Sequence, residues 1–426
     1  MKDFIIIGGG IAGLYTGYKL KQSGHQDILV LESNDHVGGR MHTLSIEGQA
    51  ISTGAEFLLT TYKHTQQLIK ALHIESEVLP MHHDSLTFYK DGKYYQFKKH
   101  HLLKSLNTKY LSWYTKLKLS AFVFLHSIKF LKTDIYDFPG QSKDSRNLYQ
   151  MSSEEITPQF AAGIIDPMFA SIFGYSASEM LPEYLYYAAK MVLGGQMFTF
   201  KQGIDYLPKR LAQELNVELN AQVKTITRHP NYVEVVLNKG AIYQAKQIII
   251  AIPGTAVTAI LQNPTQHEQK FFEQVEYKPI TKVWWRLPHK LSSLKDHVRF
   301  ADDTVNIRSI NYEEPINGWH YYTCDLRNAN ALKYYDTSLE LKQLLQPFLG
   351  TKAVEQLEFV NSFYWAKAIA KFTRSYTNEL SEFLKHNGKD KQVHYVGDYI
   401  SGSFIDGAMH SVEILFQNKS GLLVKD

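Results

Sequence analysis

Phe4-Ile5-Ile6-Ile7-Gly8-Gly9-Gly10-Ile11-Ala12-Gly13 is an apolar run of strand length that breaks into glycines and continues in helical pattern to about Ser23. A second apolar run, Ile28-Leu29-Val30-Leu31, ends at Glu32 and Ser33. Strand, glycine turn, helix, strand and terminal acid predict a βαβ unit for the ADP half of a dinucleotide. Gly8 permits the tight turn off the strand, Gly10 lets backbone approach a pyrophosphate, and Gly13 lets the helix pack close to the sheet. The amides of the first helical turn, at Ile11 and Ala12, face the phosphates with the positive end of the helix dipole behind them. Glu32 lies nineteen residues beyond Gly13, where a carboxylate can accept hydrogen bonds from ribose hydroxyls. A glycine pattern alone is weak evidence, and its flanking strands, helix and acid make it strong.

With 426 residues the chain exceeds one compact core and predicts two domains. Hydrophobic residues at 44% and charged residues at 21% exclude a disordered chain. A net charge of +4 argues against a dedicated nucleic-acid binder. Cys324 is the only cysteine, so no intrachain disulfide can form, a reducing compartment fits, and a packing role is expected. Phe4 to Ile7 does not read as a signal peptide. The longest candidate span, Leu119 to Leu131, is interrupted by His126 and Lys129, so no transmembrane segment is expected. These features predict a soluble, cytoplasmic protein. Leu117 to Leu131 is expected to pack against the second domain, with a substrate-tunnel wall as the alternative. Lys90, Lys93, Lys98, Lys99, Lys104 and Lys109 read as a solvated face and leave peripheral contact with an anionic membrane or acidic partner open. His82-His83 and His100-His101 lack metal-ligand spacing, and no metal is expected.

Along the chain, Ile51 to Phe57 reads as a short strand ending at Gly54. Leu86 to Phe88 and Tyr94 to Phe97 flank an Asp91-Gly92 hairpin turn. Residues 105–195 carry helical spacing. Strands return at Val217 to Leu219, Val223 to Ile226, Val233 to Leu237 and Gln247 to Ile252. A second excursion at 269–388 holds strands at Lys282 to Leu287 and Trp319 to Cys324 and a helix near Leu339 to Phe348. His394 to Asp398 is a strand running into a loop. The fold predicted is α/β: a Rossmann-like unit from residues 1–62, 196–268 and 389–426, interleaved with an α+β substrate domain from 63–195 and 269–388.

Taken in order, these motifs resemble the flavin-containing amine oxidases and the broader group that includes protoporphyrinogen oxidases and carotenoid desaturases. Gly38-Gly39-Arg40, six residues beyond Glu32, is similar to the diglycine motif whose backbone and arginine stay close to the FAD phosphates and flavin. Arg40 would supply a permanently charged fork suited to phosphate. Ser52-Thr53-Gly54-Ala55-Glu56 resembles an Asp-Leu-Gly-Ala segment near the flavin, with Ser52 in place of the acid. Gln202 to Leu207 resembles a glycine-containing helix entry, Gln222-Val223 the segment whose backbone holds adenine, and Ala251-Ile252-Pro253 a strand-ending Ala-x-Pro. Gly397-Asp398 is similar to the pair that binds FAD phosphate and ribityl groups. Phe404-Ile405-Asp406-Gly407-Ala408 resembles the aromatic-x-acid-Gly-Ala that opens a helix beside the flavin. The resemblance implies FAD rather than NAD, and Cys324 matches no attachment site, which implies noncovalent binding.

The resemblance also places the chemistry. Lys282, in Ile280-Thr281-Lys282-Val283-Trp284-Trp285, matches a lysine that contacts flavin N5 through water and could stabilise developing negative charge. An isolated strand lysine otherwise reads as surface charge. Trp365 begins a segment similar to Trp-x-x-Ala-Ile-Pro-x-Tyr, with Ala370 and Phe372 replacing proline and tyrosine. Phe404 matches one aromatic wall facing the flavin, and Tyr376 is a candidate for the other, with ordinary core packing as its alternative. The activity implied is an amine oxidase: a hydride equivalent passes from the amine α-carbon to flavin N5, and oxygen is the acceptor. Two alternatives stay open: dehydrogenation of a large hydrophobic molecule, suggested by Phe160 to Ser178, and FAD binding without turnover.

Overall fold

The computed structural model describes residues 1–81, 85–98, 109–136, 144–292, 294–295, 297–301, 305–313, 315–328, 337–387 and 390–418. His82-His83, His100-His101, Lys99 and Lys104 lie outside the described residues. Two large sheets organise the rest. In the first, Val217–Glu218, Ile28–Leu31, Lys2–Ile7 and Ile242–Ile250 run parallel in that order. The long strand Ile242–Ile250 then divides its far edge. Its first residues pair antiparallel with Val233–Leu237, which continues to Val223–Arg228, and its last pair parallel with Val393–Tyr395. Ile5, Ile6, Val30 and Ile248 to Ile250 are fully buried. The central strands read as unbroken apolar runs because helices cover both faces of a parallel sheet.

The second sheet takes the order Glu358–Lys371, Glu276–Leu287, His320–Leu326, Ile307–Tyr312, His297–Phe300, Ser85–Lys90, Lys93–Lys98. Only His297–Phe300 with Ser85–Lys90 is parallel. The expected hairpin turns at Asp91 (φ 50°) and Gly92 (φ 74°), the two left-handed positions of a tight two-residue turn. One face of this sheet packs Val283, Trp285, Tyr322 and Cys324 against Leu341 and Leu345 of the helix Thr337–Leu349. The other face carries the polar residues described below.

A three-stranded sheet joins Leu58–Leu59 and Val78–Met81 through Met197–Phe200. This pairing links strands on both sides of residue 62, where the sequence reading puts a domain boundary. Non-local strand pairing crosses that point without any change in composition to mark it.

The described residues between 109 and 194 are mostly helical, with helices at Trp113–Leu125, Ser127–Lys132, Leu148–Glu155, Asp166–Phe173 and Tyr184–Gly194. The expected burial of Leu117 to Leu131 is corrected here. Thr115 and Phe122 turn inward, while Leu117, Phe124, Leu125, Ile128 and Leu131 are exposed.

Candidate cofactor and active site

The three glycines of the first turn have three different surroundings. A Cβ on Gly8, at φ +108°, would lie 2.8 Å from the Ala251 carbonyl oxygen, and one on Gly13 would lie 2.0 Å from the Gly8 carbonyl oxygen. At Gly10 it would meet nothing within 4 Å. Gly10 is the N-cap of the helix Ile11–Gln22, and no side chain caps that end. The amides of Ile11, Ala12 and Gly13, which no intrahelical carbonyl can satisfy, thus border open space. Glu32 is buried and braces the turn: Oε2 accepts from the Gly9 amide (2.7 Å), and Oε1 from the Asn34 amide (2.9 Å) and the Ser33 hydroxyl (3.1 Å). The Ala221 amide donates to the Glu32 carbonyl (2.7 Å), which brings the strand beginning at Val223 beside the acid.

The remaining motifs converge on this turn. Gly38 and Gly39 both have positive φ, and the Gly38 amide donates to the Gly9 carbonyl (2.9 Å). The Ala55 amide donates to the Arg40 carbonyl (3.0 Å), so close an approach that a Cβ on Gly54 would sit 2.3 Å from that oxygen. Trp365 Nε1 donates to the Thr53 carbonyl (2.8 Å). The Arg40 fork is engaged within the chain. Nη1 and Nη2 reach Asp398 Oδ2 and Oδ1 at 2.6 and 2.8 Å, and Nη1 also donates to the Ala368 carbonyl (2.9 Å). The fork ties the N-terminal motif to Gly397-Asp398 across 358 positions. Tyr277, which the sequence reading missed, donates to Asp398 Oδ1 (3.1 Å). The Gly397 amide donates to Ser411 Oγ (2.8 Å). Burial alone would lower the Arg40 pKa, but the Asp398 carboxylate outweighs it and holds the guanidinium charged.

The second sheet contributes side chains. Val283 and Trp285 enter its apolar core, so by strand alternation Lys282 points to the opposite face, where it is 4% exposed. Lys282 is ion-paired with Glu56 and stands opposite Asp325 in cross-strand register. Burial disfavours its charge, yet Glu56 and then Asp325 more than offset this and raise its pKa. Burial pushes the Asp325 carboxyl up, against the pull of Lys282, and its Oδ2 accepts from Ser309 Oγ (2.8 Å). Arg299 donates to Asn311 Oδ1 (2.9 Å) and Arg308 to the Arg327 carbonyl (3.0 Å), both within the field of Asp325. Sequence reading singled out Lys282 and Glu56 separately and missed Asp325. The signal available was an acid on the polar phase of Tyr321-Tyr322-Thr323-Cys324-Asp325.

At the last motif, Phe404 is half-buried with its ring 5.6 Å from that of Tyr62. Ile405 opens the helix Ile405–Asn418, and the Ala408 amide donates to the Phe404 carbonyl (3.0 Å). Asp406 is fully buried and accepts from the His64 and Thr65 amides (3.1 and 2.7 Å), capping the helix Lys63–Ala71. Tyr376 goes to the core, the packing alternative. Its ring contacts Phe271 and Phe372, and its hydroxyl bonds the Tyr399 carbonyl. Tyr62, rather than Tyr376, is the ring beside Phe404.

Open space at a glycine-lined helix N-terminus, a buried acid at the end of the second strand and a distant Gly-Asp pair tied back to the same turn fit an extended dinucleotide. The model for flavin containing amine oxidoreductases matches residues 11–412. The chain belongs to this family. FAD is accordingly its cofactor, held noncovalently, and Cys324 is buried in the apolar core on the sheet face opposite Lys282. The chain is 24% identical over 287 residues to the "Probable flavin-containing monoamine oxidase A" of Dictyostelium discoideum, covering 62% of this chain and 60% of that one. A shorter match, 42% over 73 residues, is to the 1-hydroxycarotenoid 3,4-desaturase of Flavobacterium sp. strain P99-3, 17% of this chain and 14% of that one. The chain thus spans less than two thirds of these relatives' length. Among solved structures, putrescine oxidase bound to putrescine superposes with a TM-score of 0.76 at 15% identity, covering 99% of both chains. At that identity the likeness shows the fold. Among the described residues no helix is long and apolar enough to cross a membrane.

Proposed function

We propose that this flavoprotein is an oxidase of small amines, with oxygen as the terminal acceptor. The observation that carries the reading is the ion pair of buried Lys282 with half-buried Glu56, set on the polar face of the second sheet near Gly54 and Trp365. FAD, when bound, supplies the two-electron oxidant for the amine Cα–H bond. The chain's residues supply the setting. Lys282 keeps a positive charge where negative charge builds up during reoxidation, and Glu56 with Asp325 holds that charge in place despite burial. Phe404, half-buried and backed by the buried Tyr62 ring, offers aromatic surface to an uncharged amine. The backbone of the Gly8 to Gly13 turn and of Gly38-Gly39 takes the phosphates, and Glu32 the ribose.

The test is anaerobic mixing of the yellow protein with mono-, di- and polyamines. At least one should bleach the flavin, and air should restore the colour with peroxide formed. If every amine leaves the flavin oxidised, the substrate class is wrong. The desaturase likeness supports a second reading, dehydrogenation of a large hydrophobic molecule, which a polyene or porphyrinogen oxidised in place of any amine would favour.

A further inference from the structure

The helices Trp113–Leu125 and Ser127–Lys132 bury one apolar edge and leave a second apolar face in solvent. Backbone bonds from His126 to Phe122 (2.9 Å) and from Phe130 to His126 (2.9 Å) make them nearly one rod. Trp113, Leu117, Phe124, Ile128 and Leu131 fall on one stripe at helical spacing, and each is 60 to 79% exposed. Leu125 (76%), Tyr114 (50%) and Val123 (49%) widen it. The protein side of the rod is held by Phe122 and Phe130, which pack into the main core, and by polar contacts, His126 to Tyr186 (2.5 Å) and to Glu155 (3.0 Å), with Lys190 reaching the Leu131 carbonyl (3.3 Å). The rod is therefore fixed to the fold with its apolar stripe outward, which is costly in water without a partner.

Charge identifies the partner. From Gly92 to Thr133 the sequence holds nine lysines and no aspartate or glutamate. Lys132 is exposed on one border of the stripe and Lys116 half-buried on the other, while Lys129 turns its ammonium back over the Tyr186 ring (4.2 Å). An apolar stripe bordered by lysines, on a rod interrupted by His126 and too charged to enter the hydrocarbon, matches the interface of an anionic bilayer. We infer that this rod docks the protein on anionic lipid, the stripe entering the headgroup and acyl boundary and the lysines meeting phosphates. This goes beyond the proposed oxidation and does not depend on which substrate is used.

The experiment is sedimentation of the FAD-loaded full chain with vesicles of phosphatidylcholine alone and of phosphatidylcholine mixed with phosphatidylglycerol. Binding should favour the anionic vesicles at least tenfold and fall with added salt. The double variant K116Q/K132Q should bind the anionic vesicles about thirtyfold more weakly, since each lysine near such a surface is worth about fivefold. F124S/L131S should lose binding to both vesicle types while keeping its flavin absorbance and Tm, because both side chains are already in solvent. Trp113 emission should shift blue on anionic vesicles, and W113F should lack that shift. Failure of the wild type to sediment with anionic vesicles overturns the inference. So does a concentration-dependent dimer that F124S/L131S abolishes, which would assign the stripe to a second copy of this chain.

Discussion

The two large sheets build their shares of the site from different materials. The first offers main chain: amides at a helix end, glycines where a Cβ would collide, and a single buried acid that braces the turn. The second offers side chains, with Lys282, Glu56, Asp325, Arg299 and Arg308 in one another's fields on a face that turns its back on an apolar core. A site made of backbone fails through steric contact. One made of buried charges fails through imbalance, and a compensating change can repair it.

Gly13→Ala should give the largest effect. Its methyl group would sit 2.0 Å from the Gly8 carbonyl, so a loss of about 3 kcal/mol is expected, with FAD missing from the purified chain. Gly10→Ala, whose methyl meets nothing, should melt within about 0.5 kcal/mol of wild type and still lose FAD. Full FAD occupancy in Gly10→Ala would break the main-chain half of the comparison.

Asp398→Ala comes next. It strands the Arg40 fork with only the Ala368 carbonyl, which should cost about 3 kcal/mol and shorten FAD retention on dilution. Lys282→Met should slow reoxidation about a hundredfold and lower stability by about 2 kcal/mol, because Glu56 and Asp325 then repel. Adding Glu56→Gln should restore part of that stability in urea melts. An additive double variant would deny the network.

The smallest effect is a pH slope. Burial holds His64 and His410 below the ordinary imidazole value of 6.5, and their rings meet with Nε2 and Nδ1 3.0 Å apart. The unfolded chain binds protons there more readily, so stability is full above pH 6.5 and declines as pH falls through the depressed folded values. His410→Gln should flatten the fall in Tm between neutral and mildly acidic buffer. An unchanged slope would place the titration elsewhere.

What the sequence made legible follows the same division. Gly8, Gly13, Gly54 and Gly203 stand where steric contact admits little else, a Cβ on Gly203 lying 2.5 Å from Thr43, so the parallel sheet and its motifs could be read in order. The end of the Lys282 strand at Leu287, the Asp91-Gly92 hairpin and the buried Cys324 also followed from local pattern, while that strand begins six residues earlier than expected, at Glu276. The partners of the charged groups did not. Arg40 looks the same in sequence whether it meets phosphate or Asp398, because the choice is made 358 residues away. Tyr376 and Tyr62 are equally aromatic, and only packing decides which stands beside Phe404. The apolar helices at 113–132 carry ordinary helical spacing, which cannot say which way the apolar side faces.

The tie between Arg40 and Asp398 also sets a timetable for biosynthesis. At roughly 5 to 20 residues per second, the ribosome supplies the carboxylate some 20 to 70 seconds after the arginine. Throughout that interval the first βαβ unit lacks the strand Val393–Tyr395 and the Gly397 turn. Cofactor capture is thereby deferred until nearly all of the described chain has emerged, and a nascent chain that stalls early would be released colourless.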